Sequence, residues 1–144
     1  MTVIVVDELK TTLSQELTVL KRIDVESIRL KLYFHNDPPG TFTVKLKEGA
    51  TELSSKSITL AEIKSSASWL DNEYHWGMIL FNLDNNVPTQ KDVTYTIELS
   101  ASGYSFNESS YVGWIKEHED ETNTFTKTTG TDFNNPFSYQ LWGY

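Results

Sequence analysis

Cysteine is absent from this 144-residue chain. Disulfides, thiolate metal sites and a cysteine nucleophile are therefore excluded. Long hydrophobic runs are missing as well. No stretch approaches the roughly 20 apolar residues that a membrane-spanning helix needs, so no membrane partner is expected. Positive charge is scarce: 12 Lys and Arg stand against 20 Asp and Glu, for a net charge of -8. Nucleic-acid binding needs a basic footprint on phosphate, so the balance argues against it. An acidic surface favours solubility and repels anionic membranes. The chain also lacks G-x-S-x-G, G-x-x-x-x-G-K, H-E-x-x-H and G-x-G-x-x-G. Without these spacings no enzyme is expected, and no cofactor or resident metal. The first residues, Met1-Thr2-Val3-Ile4-Val5-Val6-Asp7, show neither the basic start nor the apolar core of a signal peptide. A cytoplasmic protein, or one that leaves the cell as part of something larger, is the expectation.

What is present is period-two alternation. Ile28, Leu30, Leu32 and Phe34 alternate with Arg29, Lys31, Tyr33 and His35. Beyond Asn36-Asp37-Pro38-Pro39-Gly40, Phe42, Val44 and Leu46 alternate with Thr41, Thr43, Lys45 and Lys47. Each run reads as a strand with one apolar face. The Pro-Pro-Gly between them turns the chain, which predicts an antiparallel hairpin over residues 28–47. Val93, Tyr95, Ile97 and Leu99 mark a further strand. Residues 76–83 are apolar on both faces, with Trp76, Met78 and Leu80 on one side and Ile79, Phe81 and Leu83 on the other. Such a strand is either covered on both sides or packed against a partner.

Other stretches leave alternatives open. Leu13, Leu17 and Leu20 have helical spacing, whereas Leu17 and Val19 with Thr11, Thr12 and Thr18 favour a strand. Ile23 and Val25 are out of phase with Ile28 onward, and a bulge near Glu26-Ser27 would reconcile them. Glu48-Gly49-Ala50 is a turn, residues 53–60 a polar edge strand, and residues 60–64 one helical turn. Residues 84–88 read as a loop and residues 111–115 as a strand whose Trp114 packs in the core. Residues 117–135 read as a long polar loop or loose hairpin, and residues 137–144 as an aromatic strand. Val3, Ile4, Val5 and Val6 form either a buried strand or an assembly arm that adds to a neighbour's sheet edge. The length is about one domain's worth, so a single domain spans residues 1–144, with the arm at 1–8. At this size about 70% of the unfolded surface is buried on folding, and no staple is needed.

Candidate sites are few. His35, His75 and His118 are scattered and read as solvated side chains. Glu117-His118-Glu119-Asp120-Glu121 is a charge run, ordinarily a solvated loop, with a divalent cation as the alternative. Asp84-Asn85-Asn86 lacks EF-hand spacing. Asn107-Glu108-Ser109 fits the glycan acceptor pattern, which is common by chance. Aromatic side chains are the remaining lead, since flat rings stack on sugars or anchor interfaces. Tyr33 is expected to face outward, Trp69 and Tyr74 to sit in a polar loop, and Trp142 and Tyr144 to lie at the C-terminus. Core packing is the ordinary reading of each. Trp69 and Tyr74 are the pair favoured if a site exists.

Short strands, frequent turns and little helix predict an all-β, antiparallel two-sheet sandwich, of jelly-roll topology. Ser27-Ile28-Arg29-Leu30-Lys31-Leu32, the Pro-Gly turn and Asp92-Val93-Thr94-Tyr95-Thr96-Ile97-Glu98-Leu99 resemble jelly-roll modules of phage decoration, fibre and tail proteins and of carbohydrate-binding domains. The resemblance covers most of the chain through strand pattern and brings no diagnostic motif. It implies a binding or structural role. The expectation is therefore a non-enzymatic virion protein, assembled in the host cytoplasm. Its partners would be other virion proteins or further copies of itself. A carbohydrate-binding module acting on surface glycans is the alternative.

Overall fold

Alternating sequence becomes strand wherever one face can be covered. The structure, a computed structural model, describes residues 5–66, 69–71, 75–116, 126–128 and 139–143. Among them run β1 (Val5–Glu8), β2 (Thr12–Val19), β3 (Asp24–His35), β4 (Thr41–Glu48) and β5 (Thr51–Thr59). A helix, α1 (Leu60–Ser66), is followed by β6 (Trp69–Asp71), β7 (Trp76–Pro88) and β8 (Thr94–Ser102). The last strands are β9 (Tyr111–Lys116), β10 (Thr126–Thr128) and β11 (Tyr139–Gly143). They form two antiparallel sheets packed as a sandwich. The first has the order β1-β9-β3-β7-β6, the second β10-β2-β8-β4-β5. β7 holds one edge of the long strand β3. The other edge is shared: β9 pairs with Leu32 to His35, and β11 with Val25 and Ser27 to Leu30.

The inward faces make the core. Leu30, Leu32 and Phe34 of β3 meet Phe42, Val44 and Leu46 of β4 and Tyr95, Ile97 and Leu99 of β8, all buried. Phe34 and Phe42 touch edge to face, 5.7 Å between ring centres. Trp114 is fully buried as well. Each such side chain contributes about 1.5–3 kcal/mol relative to leaving it exposed.

The hairpin expected over residues 28–47 is corrected. β3 belongs to the first sheet and β4 to the second, so the chain crosses between layers. Alternation settles which side chains point to the core, not which strand supplies the neighbouring ladder. Two inward faces can share a sheet or face each other, and here they face each other. The connection suits a crossing. Asn36 (φ 55) and Asp37 (φ 48) are left-handed, and Pro38 and Pro39 offer no N–H to a ladder. Gly40 has φ 146, and a Cβ there would lie 3.0 Å from the Tyr104 Cβ and 3.1 Å from the Ser102 carbonyl oxygen. The real hairpin is β4–β5, around Gly49-Ala50.

Elsewhere the strand reading of residues 12–19 holds. β2 points Gln15, Leu17 and Val19 inward, and Leu20, just past its end, is 45% exposed. Buried Gln15 donates from Nε2 to the Glu16 carbonyl, 3.0 Å. The phase change near Glu26 is a bulge between Val25 and Ser27 in the pairing with β7. β5 is an edge strand. The helical turn after it carries a reciprocal cap: the Glu62 N–H donates to Thr59 Oγ1 (3.2 Å), and the Thr59 N–H donates to Glu62 Oε1 (3.2 Å). This capping box satisfies two donors that would otherwise be orphaned, and fully buried Ile63 anchors the helix to the core.

Three local expectations change. Residues 84–88 are the end of β7, not a loop; Ser54 Oγ accepts the Asn85 N–H there (3.1 Å). Trp69 lies on a strand, β6, paired with β7, and not in a loop. Within the stretch read as a polar loop, β10 pairs with β2; the rest of that stretch lies outside the described residues. Among the described residues no helix is long and apolar enough to cross a membrane.

Candidate functional site on the outer face of the first sheet

β3 turns Arg29, Lys31, Tyr33 and His35 away from the core. Register then sets their neighbours. Arg29 lies between Gln140 and Leu80, Lys31 beside Met78, Tyr33 between Gly113 and Trp76, and His35 beside Tyr111. The polar face of β3 thus continues into the second apolar face of β7. Leu80 remains 42% exposed and Trp142 50% exposed. Met78 and Trp76 are half-buried.

Cations lie on rings across this face. The Arg29 guanidinium carbon is 4.8 Å from the Trp142 ring centre, and Lys31 Nζ is 5.2 Å from the Trp76 ring centre. Such contacts contribute about 0.5–1 kcal/mol at exposed sites. The Arg29 Nε and Trp76 Nε1 donors are buried without a hydrogen-bond partner, a cost of about 1–3 kcal/mol each. The Trp142 indole N–H donates to Gln140 Oε1, 3.2 Å. At the far end Tyr33, His35 and Tyr111 form an aromatic cluster, with ring centres 5.0–6.0 Å apart. Tyr33 Oη and His35 Nδ1 share a hydrogen bond of 2.7 Å. Burial, and then the Glu8 charge, pushes the Tyr111 phenol above its ordinary value, so it is neutral at pH 7.

A second polar cluster ties three elements together. Asp37 in the β3–β4 crossing accepts from Lys64 Nζ of α1 (2.7 Å) and pairs with His75 Nδ1 at the start of β7 (3.1 Å). Burial pushes the Asp37 carboxyl up. The hydrogen bonds from Lys64 and His75, with their charges, outweigh that, and its pKa lies below the ordinary carboxylate value. The arrangement holds the crossing against the helix.

Of the aromatics singled out from sequence, Tyr33 and Trp142 share the outer face without meeting. Trp142 pairs beside Ser27, six residues along β3 from Tyr33, or about 20 Å at strand rise. The backbone of Trp69 lies opposite Gly77. Tyr74 and Tyr144 lie outside the described residues, as do Val3, Ile4 and residues 117–121. Val5 and Val6 pair within the chain, opposite Lys116 and Ile115. Asn107 is exposed at a turn, where its Oδ1 accepts the Ser109 N–H (2.8 Å). No group of three or more potential metal ligands occurs among the described residues.

The sequence placed Arg29 and Lys31 on one face of their strand and Trp76, Met78 and Leu80 on one face of theirs; it did not show that register joins the two into a single surface. The two-sided apolarity of residues 76–83 was the signal of that surface. Comparison with models of known protein families returns no match, and neither does comparison with characterised proteins.

Proposed function

We propose that the chain is a non-enzymatic structural subunit of a phage virion, of the capsid decoration or fibre and tail class, assembled in the host cytoplasm. It joins its neighbours through the outer face of the first sheet. The observation that carries this reading is the pair Leu80 and Trp142, 42% and 50% exposed on either side of Arg29. Tryptophan and arginine are enriched among the anchors of protein interfaces, and Leu80 adds exposed apolar surface beside them. Strand order adds support. The two antiparallel sheets, β1-β9-β3-β7 and β2-β8-β4-β5, each combine early and late strands, which is in keeping with the jelly-roll reading, an architecture that recurs in viral capsid and lectin domains. Fold alone is shared by many functions, so the weight rests on the face.

Density-gradient sedimentation of particles from the source, with mass spectrometry of each fraction, tests the proposal. The chain should travel with intact particles, and light scattering of the purified chain should show association at high concentration. Recovery only as a free monomer in the light fractions would overturn it. A carbohydrate-binding reading is favoured by one observation, the half-exposed indole of Trp142 beside the polar Gln140. Glycan-array binding that disappears in Trp142→Ala, with unchanged thermal stability, would establish that reading instead.

A further inference from the structure

We infer that the outer face of the first sheet docks an acidic, apolar protein surface. A carboxylate would sit against the Arg29 guanidinium, and an aliphatic or aromatic side chain would lie against Leu80 and Trp142. The inference rests on the assembly reading above and names the chemistry of its partner.

Charge complementarity is the first argument. The chain carries 20 acidic against 12 basic residues, yet this block reverses the sign. From residue 29 to residue 35 on β3 and at the outward positions paired with it on β7 and β11, the charged side chains are Arg29 and Lys31. No carboxylate occupies any of those positions; the nearest in register stand one strand further out, Asp71 opposite Trp76 and Glu8 opposite Gly113, both toward the Tyr33 end and away from Arg29. The second argument is the state of Arg29. Its guanidinium lies on the Trp142 ring, and its Nε donates to nothing. Nε is buried and cannot reach a partner, so a docking carboxylate would meet the terminal N–H groups of a guanidinium that the ring holds in place. The third is composition. Arg, Trp and Met are enriched in protein interfaces, and the neighbours of Arg29 and Lys31 in register are Leu80 and Met78. Those two offer no hydrogen bonds to the hydroxyls of a sugar.

Size adds a property. Three strands and seven residues cover about 15 Å by 20 Å, well below the roughly 800 Å² per partner of a stable interface. One copy binds weakly, and a repeating partner raises the strength through multivalency.

The test uses the full chain and short synthetic peptides, with the Trp142 indole N–H signal followed by NMR. One peptide alternates Glu with Leu and Trp, a second replaces each Glu by Lys, and a third replaces each Leu and Trp by Ser. An oligogalacturonate serves as the acidic sugar. The Glu peptide should shift the Trp142 signal. Its affinity should fall at least tenfold in Arg29→Gln, fall similarly in Leu80→Ser, and weaken as salt is raised. The Lys and Ser peptides should bind at least tenfold more weakly. Equal binding of the Lys peptide overturns the inference. So does a Trp142 shift produced by the sugar and not by the Glu peptide. Leu80→Ser, at an exposed position, keeps the test valid if Arg29→Gln fails to fold. Failure here is separable from failure of the assembly reading. Particle-bound chain whose attachment survives both substitutions sinks the docking face alone. Peptide binding without particle association sinks the virion role and leaves the face standing.

Discussion

Leu32 and Leu80 show how position decides the value of one side chain. Leu32 on β3 is fully buried in the core, whereas Leu80 on β7 is 42% exposed on the outer face. Leu32→Ala should cost about 2–5 kcal/mol, since it removes buried surface and leaves a cavity. Leu80→Ser should change stability by about 0.5 kcal/mol or less. Urea midpoints measure both, and equal losses would contradict the assignment of faces. Asp37 makes a pH-dependent prediction. Its folded-state pKa lies below the ordinary value of 3.8, so the ionised form is favoured by folding. The stability it contributes is present above the unfolded pKa and lost as pH falls through the lower folded value. Asp37→Asn keeps a residue that tolerates the left-handed backbone at φ 48. The variant should be less stable than the parent at neutral pH, and the gap should begin to narrow below about pH 4 and close only once pH is below the lowered folded value. A gap that persists in strong acid would show that the Lys64 and His75 contacts do not act through charge.

β11 is the element most open to a single change. Its Gly143 pairs opposite Val25, beyond the register shift that follows Trp142. A Cβ at Gly143 would collide with the Asp24 carbonyl group. Gly143→Ala should therefore loosen the end of β11 from β3. Amide hydrogen exchange at Leu141 and Trp142 should accelerate, while exchange in β8 stays slow. Unchanged protection at Leu141 would mean that the backbone absorbs the clash. Element identity was largely legible in the sequence: the alternation in β3, β4 and β8, the bulge before Ser27 and the polar edge strand β5 all follow from residue patterns. β6 was not, because three residues carry too little periodicity. The full length of β7 was missed because Asp84-Asn85-Asn86 has turn composition. That end of the strand is held by cross-sheet contacts to β5, among them the Asn85 N–H to Ser54 Oγ bond.

At the scale of the whole molecule, β1 is the edge strand at one end of the first sheet and covers the edge of β9, pairing from Val5–Lys116 to Glu8–Gly113. The N-terminal run therefore acts within the chain over the described part of β1. Deleting residues 1–8 should lower the urea midpoint, because β9 loses a ladder and its edge is opened. An exposed edge also invites pairing with another chain, so light scattering should report more self-association than in the parent. An unchanged midpoint and an unchanged mass would show that this ladder contributes nothing to the fold.

Composition and period-two pattern by themselves determined the all-β class, the inward residues of the main strands, the exclusion of thiol chemistry and the acidic balance. These are local or additive properties, readable one residue or one strand at a time. Tertiary structure alone decided that residues 28–47 cross between sheets, because two inward faces satisfy the same pattern whether they lie side by side or opposite. It alone placed Arg29 between Gln140 and Leu80, and Trp142 beside Ser27, from opposite ends of the chain. Which strands become neighbours depends on long-range packing, on where the left-handed residues 36 and 37 and Gly40 aim the chain, and on which edges remain to be paired. The apolar outer positions of β7 were visible in the sequence as a surplus. Their meeting with two cations from β3 and an indole from β11 required the folded sheet, since hydrogen-bond register, not sequence distance, sets who stands beside whom.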